Sequence, residues 1–284
     1  RLFVRSKVSE RHHFHLVPCL VWNYHAVPDL VKDAVRAWGN PGSKTIRFMR
    51  QYTKEVITRY HKSPAIWGWE FGNEYNLMAD LPNAAEHRPT TAPELGAPPT
   101  RSELDDLTHE AIRTAFFEFA KEVRRHDPWR MIGTGSGFPR QSAWHQWTEL
   151  SWEGDTRHQY IDMLIGDNPD PVDTLSAHLY PEGGERFGRP FSPRLLLEAS
   201  MEASRRSQKP LFVGEFGASN ELGADEARAH FSEILDALEE TGVPLAAVWV
   251  FRLDSDDTSW NLSQASGRLY QLEAIREVNR RLGN

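Results

Sequence analysis

The chain has 284 residues, which is long enough for one large α/β barrel or for two modest domains. Its formal net charge of −7 argues against nucleic-acid binding, because proteins that bind nucleic acids normally carry a basic surface. The single cysteine excludes an intrachain disulfide and a multi-thiolate metal site, and the sequence contains no run of 18 apolar residues that would predict a membrane span.

Short apolar, β-branched or aromatic runs alternate with longer amphipathic segments along the chain. The predicted strands lie at 16–22, 65–71, 131–135, 172–179, 210–216 and 244–251. The predicted helices lie at 45–61, 102–126, 192–207, 224–241 and 267–282. This alternation predicts βαβ units and a parallel sheet, and the nearly continuous apolar strands indicate that both faces of the sheet are covered.

The regular repetition of these units favours a (β/α)8 TIM barrel over an open, doubly wound sheet. No G-x-G-x-x-G or Walker pattern follows any predicted strand, as a nucleotide-binding sheet would require. A closed barrel has eight strands, so about six βα units predict an incomplete α/β barrel that lacks its N-terminal units. Because no change in composition marks a second domain, residues 1–284 are predicted to form a single barrel domain.

Two of the predicted strands end on a glutamate. The run WGWEFGNEYN (67–76) leads to Glu74, and the run LFVGEFGAS (211–219) leads to Glu215. Because the carboxyl ends of parallel barrel strands share one rim, we expect the two carboxyl groups to face each other there. Such a pair suits glycoside hydrolysis, in which a protonated carboxyl gives its proton to the leaving oxygen and an ionised carboxylate attacks the sugar or activates water.

These runs resemble the motifs of the cellulase-like glycoside hydrolases of family 5 and clan A, whose (β/α)8 barrels carry an acid/base on strand four and a nucleophile on strand seven. The resemblance extends over residues 16 to about 262. WEFGNEY (69–75) resembles the strand-four motif, which implies that Glu74 is the acid/base and Asn73 contacts the sugar 2-hydroxyl. VGEFG resembles the strand-seven motif, which implies that Glu215 is the nucleophile.

Three further runs contain the other site residues that this resemblance implies. SAHLYP is similar to the strand-six motif, VWVF to the strand-eight motif, and LVWNYH to the end of strand three. The implied substrate-binding residues are His178, Tyr180, Trp249, Trp22, Asn23 and His25. By the same resemblance, Tyr180 is expected to donate its hydroxyl to the nucleophile, and Trp249 to form the floor of the −1 sugar subsite.

The resemblance implies a retaining glycoside hydrolase that cleaves β-glycosidic bonds in a β-glucan or β-mannan by double displacement. The binding partner that the resemblance implies for this protein is the oligo- or polysaccharide substrate. No cofactor, metal ion, nucleic acid or membrane is expected to take part. It also suggests a secreted or periplasmic protein, although the first residues have no signal-peptide pattern. The exact sugar, endo or exo action and the oligomeric state are not determined by these motifs.

One departure from the family pattern keeps a second interpretation open. The family carries an arginine at the end of strand two that hydrogen-bonds the nucleophile, and this sequence has no matching position. A non-catalytic carbohydrate-binding barrel is therefore the alternative to a hydrolase. An amidase on the same barrel is disfavoured by the paired glutamates, the His-x-Tyr run and Trp249.

Several acidic and histidine residues have a simpler structural interpretation. Glu70 is expected to point inward below Glu74, as a partner for an arginine or histidine. The histidines at 12, 13 and 15 are expected to form a solvated helix end. The run DSDD (254–257) lacks the twelve-residue calcium loop and is interpreted as a solvated acidic loop. No metal site is predicted.

The remaining candidates are one serine and a group of tryptophans. Ser136 lacks glycine two residues before and after it, which excludes an elbow-type serine hydrolase. Trp144, Trp147 and Trp152 suit either sugar stacking or loop packing equally well. Trp260 is expected near the mouth of the barrel, without an assigned role.

Overall fold

A computed structural model describes residues 2–251 and 259–283 of the chain. The helices are α1 Leu2–His12, α2 Ala26–Val31, α3 Lys44–Tyr60, α4 His109–His126, α5 Ala143–Glu149, α6 Arg157–Gly166, α7 Pro193–Ser207, α8 Ala224–Thr241 and α9 Tyr270–Arg281. The strands are β1 Gly68–Glu70, β2 Met131–Gly133, β3 Leu175–Leu179, β4 Glu185–Arg186, β5 Arg189–Pro190, β6 Leu211–Phe216 and β7 Leu245–Val248. The chain divides into two compact units, Arg1–Ser176 and Ala177–Asn284.

The first unit contains three parallel strand positions. β1 pairs with β2 in parallel, with Gly68 opposite Met131. On its other side β1 meets residues 16–21, where parallel bridges join Leu16 to Ile66 and Cys19 to Glu70. Helices α3 and α4 pack against each other beside this sheet, and their apolar faces, with Phe71, form the core of the unit.

The second unit contains β6, β7 and most of β3, which form one sheet in the order β3–β6–β7, and a two-stranded antiparallel hairpin, β4–β5. β6 and β7 are parallel, with Phe212 opposite Leu245. Helices α7 and α8 pack together, and Phe216 of β6 stacks on Phe231 of α8 at a centroid distance of 5.8 Å. The buried apolar strand β6 therefore has a helix layer on one side, and the expectation that both faces of the sheet are covered stays a prediction.

Most predicted elements agree with the structure, and the differences lie in the long connections. All six predicted strands contain observed strands or bridges. In four of the five predicted helices, both the first and the last residue lie within about three residues of the observed ones. The helix predicted at 102–126 begins only at His109, where Thr108 accepts a hydrogen bond from the Ala111 amide. The connection 136–160 contains α5 and the start of α6, and 181–193 contains the β4–β5 hairpin.

α6 begins at a capping box that was overlooked in the sequence. The Thr156 hydroxyl accepts a hydrogen bond from the Gln159 amide, and the Gln159 side chain accepts one from the Thr156 amide. No helix among the described residues is long and apolar enough to cross a membrane. The DSDD run at 254–257 lies outside the described residues, so its interpretation as a solvated loop stays a prediction, as does the single domain over residues 1–284.

A buried ion cluster joins the start of α4 to the end of α6. Asp167 Oδ1 lies 2.9 Å from Nδ1 of His109 and accepts a hydrogen bond of 3.2 Å from Arg113. The side chains of His109 and Asp167 are each 1% exposed. Burial by itself would raise the pKa of Asp167, but the charges and hydrogen bonds of His109 and Arg113 outweigh burial and lower that pKa.

We expect Asp167→Asn to lower the free energy of unfolding by about 3 kcal/mol at neutral pH, because it removes one partner from a buried ion cluster. The folded-state pKa lies below the unfolded value of about 3.9, so this stabilisation is complete above the unfolded pKa and is lost as the pH falls through the folded pKa. Urea unfolding at several pH values should therefore show a constant difference in free energy of unfolding between the wild type and Asp167→Asn above about pH 5. This difference should become smaller below about pH 4.

The matched control for this prediction is Asp162→Asn, on the exposed side of the same helix, where the aspartate side chain is 44% exposed. It should change the free energy of unfolding by less than about 0.5 kcal/mol. A penalty for Asp167→Asn that stays constant down to pH 3 would contradict the assignment of a lowered pKa to Asp167.

Candidate active site

Glu74 lies at the carboxyl end of β1, between two neighbouring strand ends. Backbone hydrogen bonds continue past the end of the strand, from the Gly72 amide to the Thr134 carbonyl and from the Glu74 amide to the Gly135 carbonyl at 2.8 Å. On the opposite side, the Asn73 amide donates to the carbonyl of Trp22. The predicted position of Asn73 and Glu74 at a strand end is therefore observed, and both side chains are half-buried.

The backbone turns sharply at Glu74. This residue has φ 53° and ψ 31°, the left-handed region that few residues other than glycine adopt, and a 3-10 turn over Tyr75–Met78 follows. Tyr75 donates its buried hydroxyl to the Val21 carbonyl, and Asn76 exchanges two hydrogen bonds with the backbone of Gly137. These buried bonds hold the turn and so fix the direction in which the Glu74 side chain leaves the strand.

Glycine is required beside this turn. Gly135 has φ +71°, and a Cβ atom there would lie 1.9 Å from the Gly72 carbonyl oxygen. A Cβ atom at Gly137 would lie 3.5 Å from Glu74 Oε1. The run GTGSG therefore provides backbone that approaches Glu74 closely, which explains its glycines without a nucleophile elbow. Ser136 is 1% exposed and its hydroxyl is hydrogen-bonded to Thr134, which agrees with that exclusion.

The predicted rim residues of the first unit have different environments. Trp22 is 46% exposed and Asn23 is also exposed, so both can meet a ligand from solvent. His25 is instead engaged through Nδ1 with Asp29, at 3.2 Å, and Asp29 accepts two hydrogen bonds from Arg101. Burial would raise the pKa of Asp29, but the hydrogen bonds from Arg101 and His25 and the charge of Arg101 outweigh it and lower that pKa.

Glu215 lies on β6 in the second unit and is held by two side chains from the neighbouring strand β3 and its end. The Tyr180 hydroxyl donates to Glu215 Oε2 at 2.6 Å. Nδ1 of His178 lies 3.4 Å from the same oxygen. The Glu215 side chain is 12% exposed and that of His178 is 4% exposed. These two contacts fix the orientation of the Glu215 carboxylate.

Trp249 follows β7 beside the end of β6. Its amide donates to the Phe216 carbonyl at 2.8 Å, and a Cβ atom at Gly217 would lie 2.8 Å from the Trp249 carbonyl oxygen. Gly217 therefore allows the two strand ends to approach closely. The second glycine of the VGEFG run has a packing role next to the glutamate.

The sequence did not predict that Trp260 and Arg268 pack behind Tyr180. The Trp260 ring meets the Tyr180 ring edge-on at a centroid distance of 5.4 Å, and the fully buried guanidinium of Arg268 lies 5.7 Å from the centroid of Trp260. Arg268 also donates to the Ala218 carbonyl. Trp260 was expected near the mouth of the barrel but had no assigned role, and no local pattern distinguishes Arg268 from the other arginines of the C-terminal helix region.

The tryptophans of 136–160 differ in exposure. Trp147 donates Nε1–H to Glu110, and the Arg113 guanidinium lies 4.4 Å from its ring centroid, so it packs against α4. Trp152 is 55% exposed and remains available to a ligand.

Glu70, predicted to point inward, is half-buried, and its carboxyl carbon would lie 3.1 Å from a Cβ atom at Gly135.

Comparisons with known proteins give a family match and several similar structures. The model of the cellulase family, glycosyl hydrolase family 5, matches residues 23–252. An endo-1,4-β-D-mannanase from Thermotoga petrophila RKU-1, solved with maltose and glycerol, is similar at 15% identity and a TM-score of 0.54, covering 92% of this chain and 75% of its own. The endo-1,4-β-mannanase from Rhizomucor miehei is similar at 14% identity and a TM-score of 0.54, over 87% of this chain and 65% of its own.

A third similar structure is GH5_18 from Streptomyces cattleya in complex with GlcNAc. It has 16% identity and a TM-score of 0.53, covering 83% of this chain and 54% of its own. The search among curated proteins found no match. At these identities the structural likeness concerns the fold, and the family match covers most of the chain, including each residue predicted for the site except Trp22.

Proposed function

The chain belongs to the cellulase family, glycosyl hydrolase family 5, and from that premise we propose that it cleaves β-glycosidic bonds of a β-glucan or β-mannan with retention of configuration. The predicted fold class is confirmed: it is the α/β barrel fold of this family, of which the described residues contain six strand positions.

Glu215 is the proposed nucleophile, and the main observation in support is the hydrogen bond that it accepts from Tyr180. A carboxylate that attacks an anomeric carbon must be ionised and must point one oxygen along the line of attack. The Tyr180 hydroxyl at 2.6 Å stabilises the charge on Oε2 and fixes the rotation of the carboxylate. In the first step, Glu215 forms a bond to the anomeric carbon while the bond from that carbon to the leaving oxygen breaks.

Glu74 is the proposed acid/base. In the first step its carboxyl gives a proton to the departing glycosidic oxygen, and in the second step its carboxylate takes a proton from the water that releases the sugar from Glu215. Support comes from the position of Glu74 after the strand end and from the buried bonds of Tyr75 and Asn76 that hold its turn. The proposal requires that both glutamates act on one anomeric carbon.

A β-linked polysaccharide is the proposed substrate class. The mannanase names of two of the similar structures reported above favour β-mannan or a related β-glucan. The exposed indole of Trp22, next to Asn73 in the hydrogen-bonded strand ends, offers a flat apolar surface on which a sugar ring can stack. Asn73 is proposed to contact the 2-hydroxyl, and Trp249 to form the floor for the same sugar.

The test is hydrolysis of β-mannan, mixed-linkage β-glucan, cellulose derivatives and aryl β-glycosides. Proton NMR of the product in the first minutes should show the β-anomer, before mutarotation produces the α-anomer. Initial release of the α-anomer would overturn double displacement. Binding of these polysaccharides without any turnover would instead identify a non-catalytic carbohydrate-binding barrel.

Tyr180→Phe tests the contact that carries the proposal. It removes the hydroxyl that donates to Glu215 and keeps the ring that packs against Trp260. We expect kcat/KM to fall about ten- to a hundredfold, because a hydrogen bond to a charged group contributes about 1.5–3 kcal/mol. The measurement is steady-state hydrolysis of an aryl β-glycoside, together with thermal unfolding to establish that the variant is folded.

Tyr270→Phe is the matched control for this variant. Its hydroxyl lies in the same unit and accepts a hydrogen bond from Gln271 instead of contacting Glu215. This control should retain the wild-type kcat/KM. If Tyr180→Phe also retains it, the Tyr180 hydroxyl does not contribute to the attacking carboxylate.

A further inference from the structure

Three potential metal ligands lie together at the end of α5, and none of them is assigned to hydrolysis. One ligand atom each from His145, Glu149 and Glu153 lies within 4.8 Å of the others. The two glutamates are exposed, whereas the His145 side chain is nine-tenths buried, with 10% of its surface exposed. We call these three residues the His145 cluster.

The local backbone explains how the three residues meet. His145 and Glu149 are four residues apart on α5 and therefore lie on the same face of the helix. The helix ends at Leu150, which has φ 52° in the left-handed region, and the Ser151 amide donates back to the His145 carbonyl. The Ser151 hydroxyl then accepts a hydrogen bond from the Glu153 amide, and this turn returns Glu153 to the end of the helix.

Asp155 orients the histidine. Its Oδ1 lies 2.9 Å from Nδ1 of His145, and its two oxygens also accept hydrogen bonds from the amides of Trp144 and His145 at the start of α5. A carboxylate that accepts from Nδ1 places the lone pair of a neutral imidazole on Nε2. Among the residues that the structure describes, Nε2 of His145 has no hydrogen-bond partner, so it is the ring nitrogen left to act as a metal ligand.

We propose that the His145 cluster binds a divalent transition-metal ion of the Zn²⁺ class. One imidazole nitrogen and two carboxylate oxygens suit Zn²⁺, whereas Ca²⁺ and Mg²⁺ prefer sites made of oxygen only. A tetrahedral Zn²⁺ holds its ligand atoms about 3.4 Å apart. The ligand atoms here lie within 4.8 Å of one another, so small side-chain rotations of the exposed glutamates would bring them to that separation. The carboxylate–histidine pair supplied by Asp155 matches the second shell that metal-binding histidines usually have.

The proposed ion would join the end of α5 to the following turn. Trp152 lies within that turn, between Glu149 and Glu153, and is 55% exposed. Binding of the ion would therefore restrict the part of the chain that holds this exposed indole. This inference concerns metal binding itself and does not depend on the proposed hydrolysis.

The test is calorimetric titration of Zn²⁺ into the tag-free, full-length chain after treatment with a chelator and desalting. We expect one Zn²⁺ per chain, a rise in Tm on addition of Zn²⁺, and visible absorption when Co²⁺ replaces Zn²⁺. The double variant Glu149→Gln with Glu153→Gln should weaken Zn²⁺ binding at least about a hundredfold and lose the rise in Tm. Both glutamates are exposed, so its metal-free Tm should equal that of the wild type.

A second double variant controls for the loss of two negative charges. Glu226→Gln with Glu233→Gln changes two exposed glutamates of α8, where Glu226 lies 4.0 Å from Nε2 of His230. It should bind Zn²⁺ as the wild type does. Unchanged Zn²⁺ affinity in the Glu149/Glu153 variant, no stoichiometric binding to the wild type, or stronger binding of Ca²⁺ than of Zn²⁺ would each overturn the proposal.

Discussion

Glu215→Ala is expected to lower kcat by about 10⁴-fold or more, because it removes the group that forms the covalent bond to the sugar. Substrate binding should change little, since the variant retains the other residues proposed to contact the sugar. The reaction to measure is hydrolysis of an activated aryl β-glycoside, for which the departing phenol needs little protonation. Activity below about one part in 10⁴ of the wild type is the expected result.

Addition of azide to Glu215→Ala shows whether Glu215 acts as the nucleophile or is needed only for folding. The space left by the carboxylate admits a small anion, which can attack the anomeric carbon from the side that Glu215 occupied. The expected product is an α-glycosyl azide, because a single displacement inverts the β configuration. Glu221→Gln, an exposed glutamate on the next turn of the chain, is the matched control and should keep full activity.

Two results would contradict the role of Glu215. One is near-normal hydrolysis by Glu215→Ala, and the other is an azide-rescued product with the β configuration. An inactive variant that azide does not rescue, but that has the Tm of the wild type, would show that Glu215 is needed without acting as the nucleophile.

Glu74→Gln should give the second-largest loss, and the size of that loss should depend on the leaving group. For a polysaccharide, whose sugar leaving group needs a proton, we expect kcat/KM to fall about 10²–10⁴-fold, the usual contribution of general acid catalysis. For a dinitrophenyl β-glycoside, formation of the glycosyl-enzyme should continue because the phenolate leaves without a proton. Its hydrolysis should then become slow, because no carboxylate deprotonates the attacking water.

The measurement for Glu74→Gln is rapid-mixing kinetics with both kinds of substrate. A burst of dinitrophenol followed by slow turnover is the expected signature. Glu86→Gln is the matched control, because Glu86 is an exposed glutamate in the same connection after β1. Equal losses for the polysaccharide and the aryl glycoside, with no burst, would contradict an acid/base role for Glu74.

The sequence by itself determined the features that depend on short-range pattern. The period of the apolar residues located α3, α7 and α8, whose amphipathic faces have to pack on a sheet whatever the detailed structure. Glu74 and Glu215 were placed at strand ends because each follows an apolar run and precedes a change to polar or glycine-rich sequence. Their catalytic roles, and those of the predicted sugar contacts, stay predictions.

Other features were decided by contacts between residues distant in sequence. The helix at 143–149 went unpredicted because its start is capped by Asp155, which follows the helix instead of preceding it. His25, predicted at the rim, is held by Asp29, and Asp29 is held by Arg101, 72 residues further along the chain. A sequence pattern covers only neighbouring residues, so it does not show which distant partner will satisfy a given polar group.

The surroundings of the two glutamates illustrate the same physical limit. Glu74 adopts a left-handed backbone, which propensity alone disfavours, because Tyr75 and Asn76 gain buried hydrogen bonds to Val21 and Gly137 that hold the turn. The support of Tyr180 by Trp260 depends on a contact over 80 residues of chain. Local residue preferences therefore determined the helices, strands and strand-end acids, whereas tertiary packing, which satisfies buried polar groups across the chain, decided how each side chain is oriented.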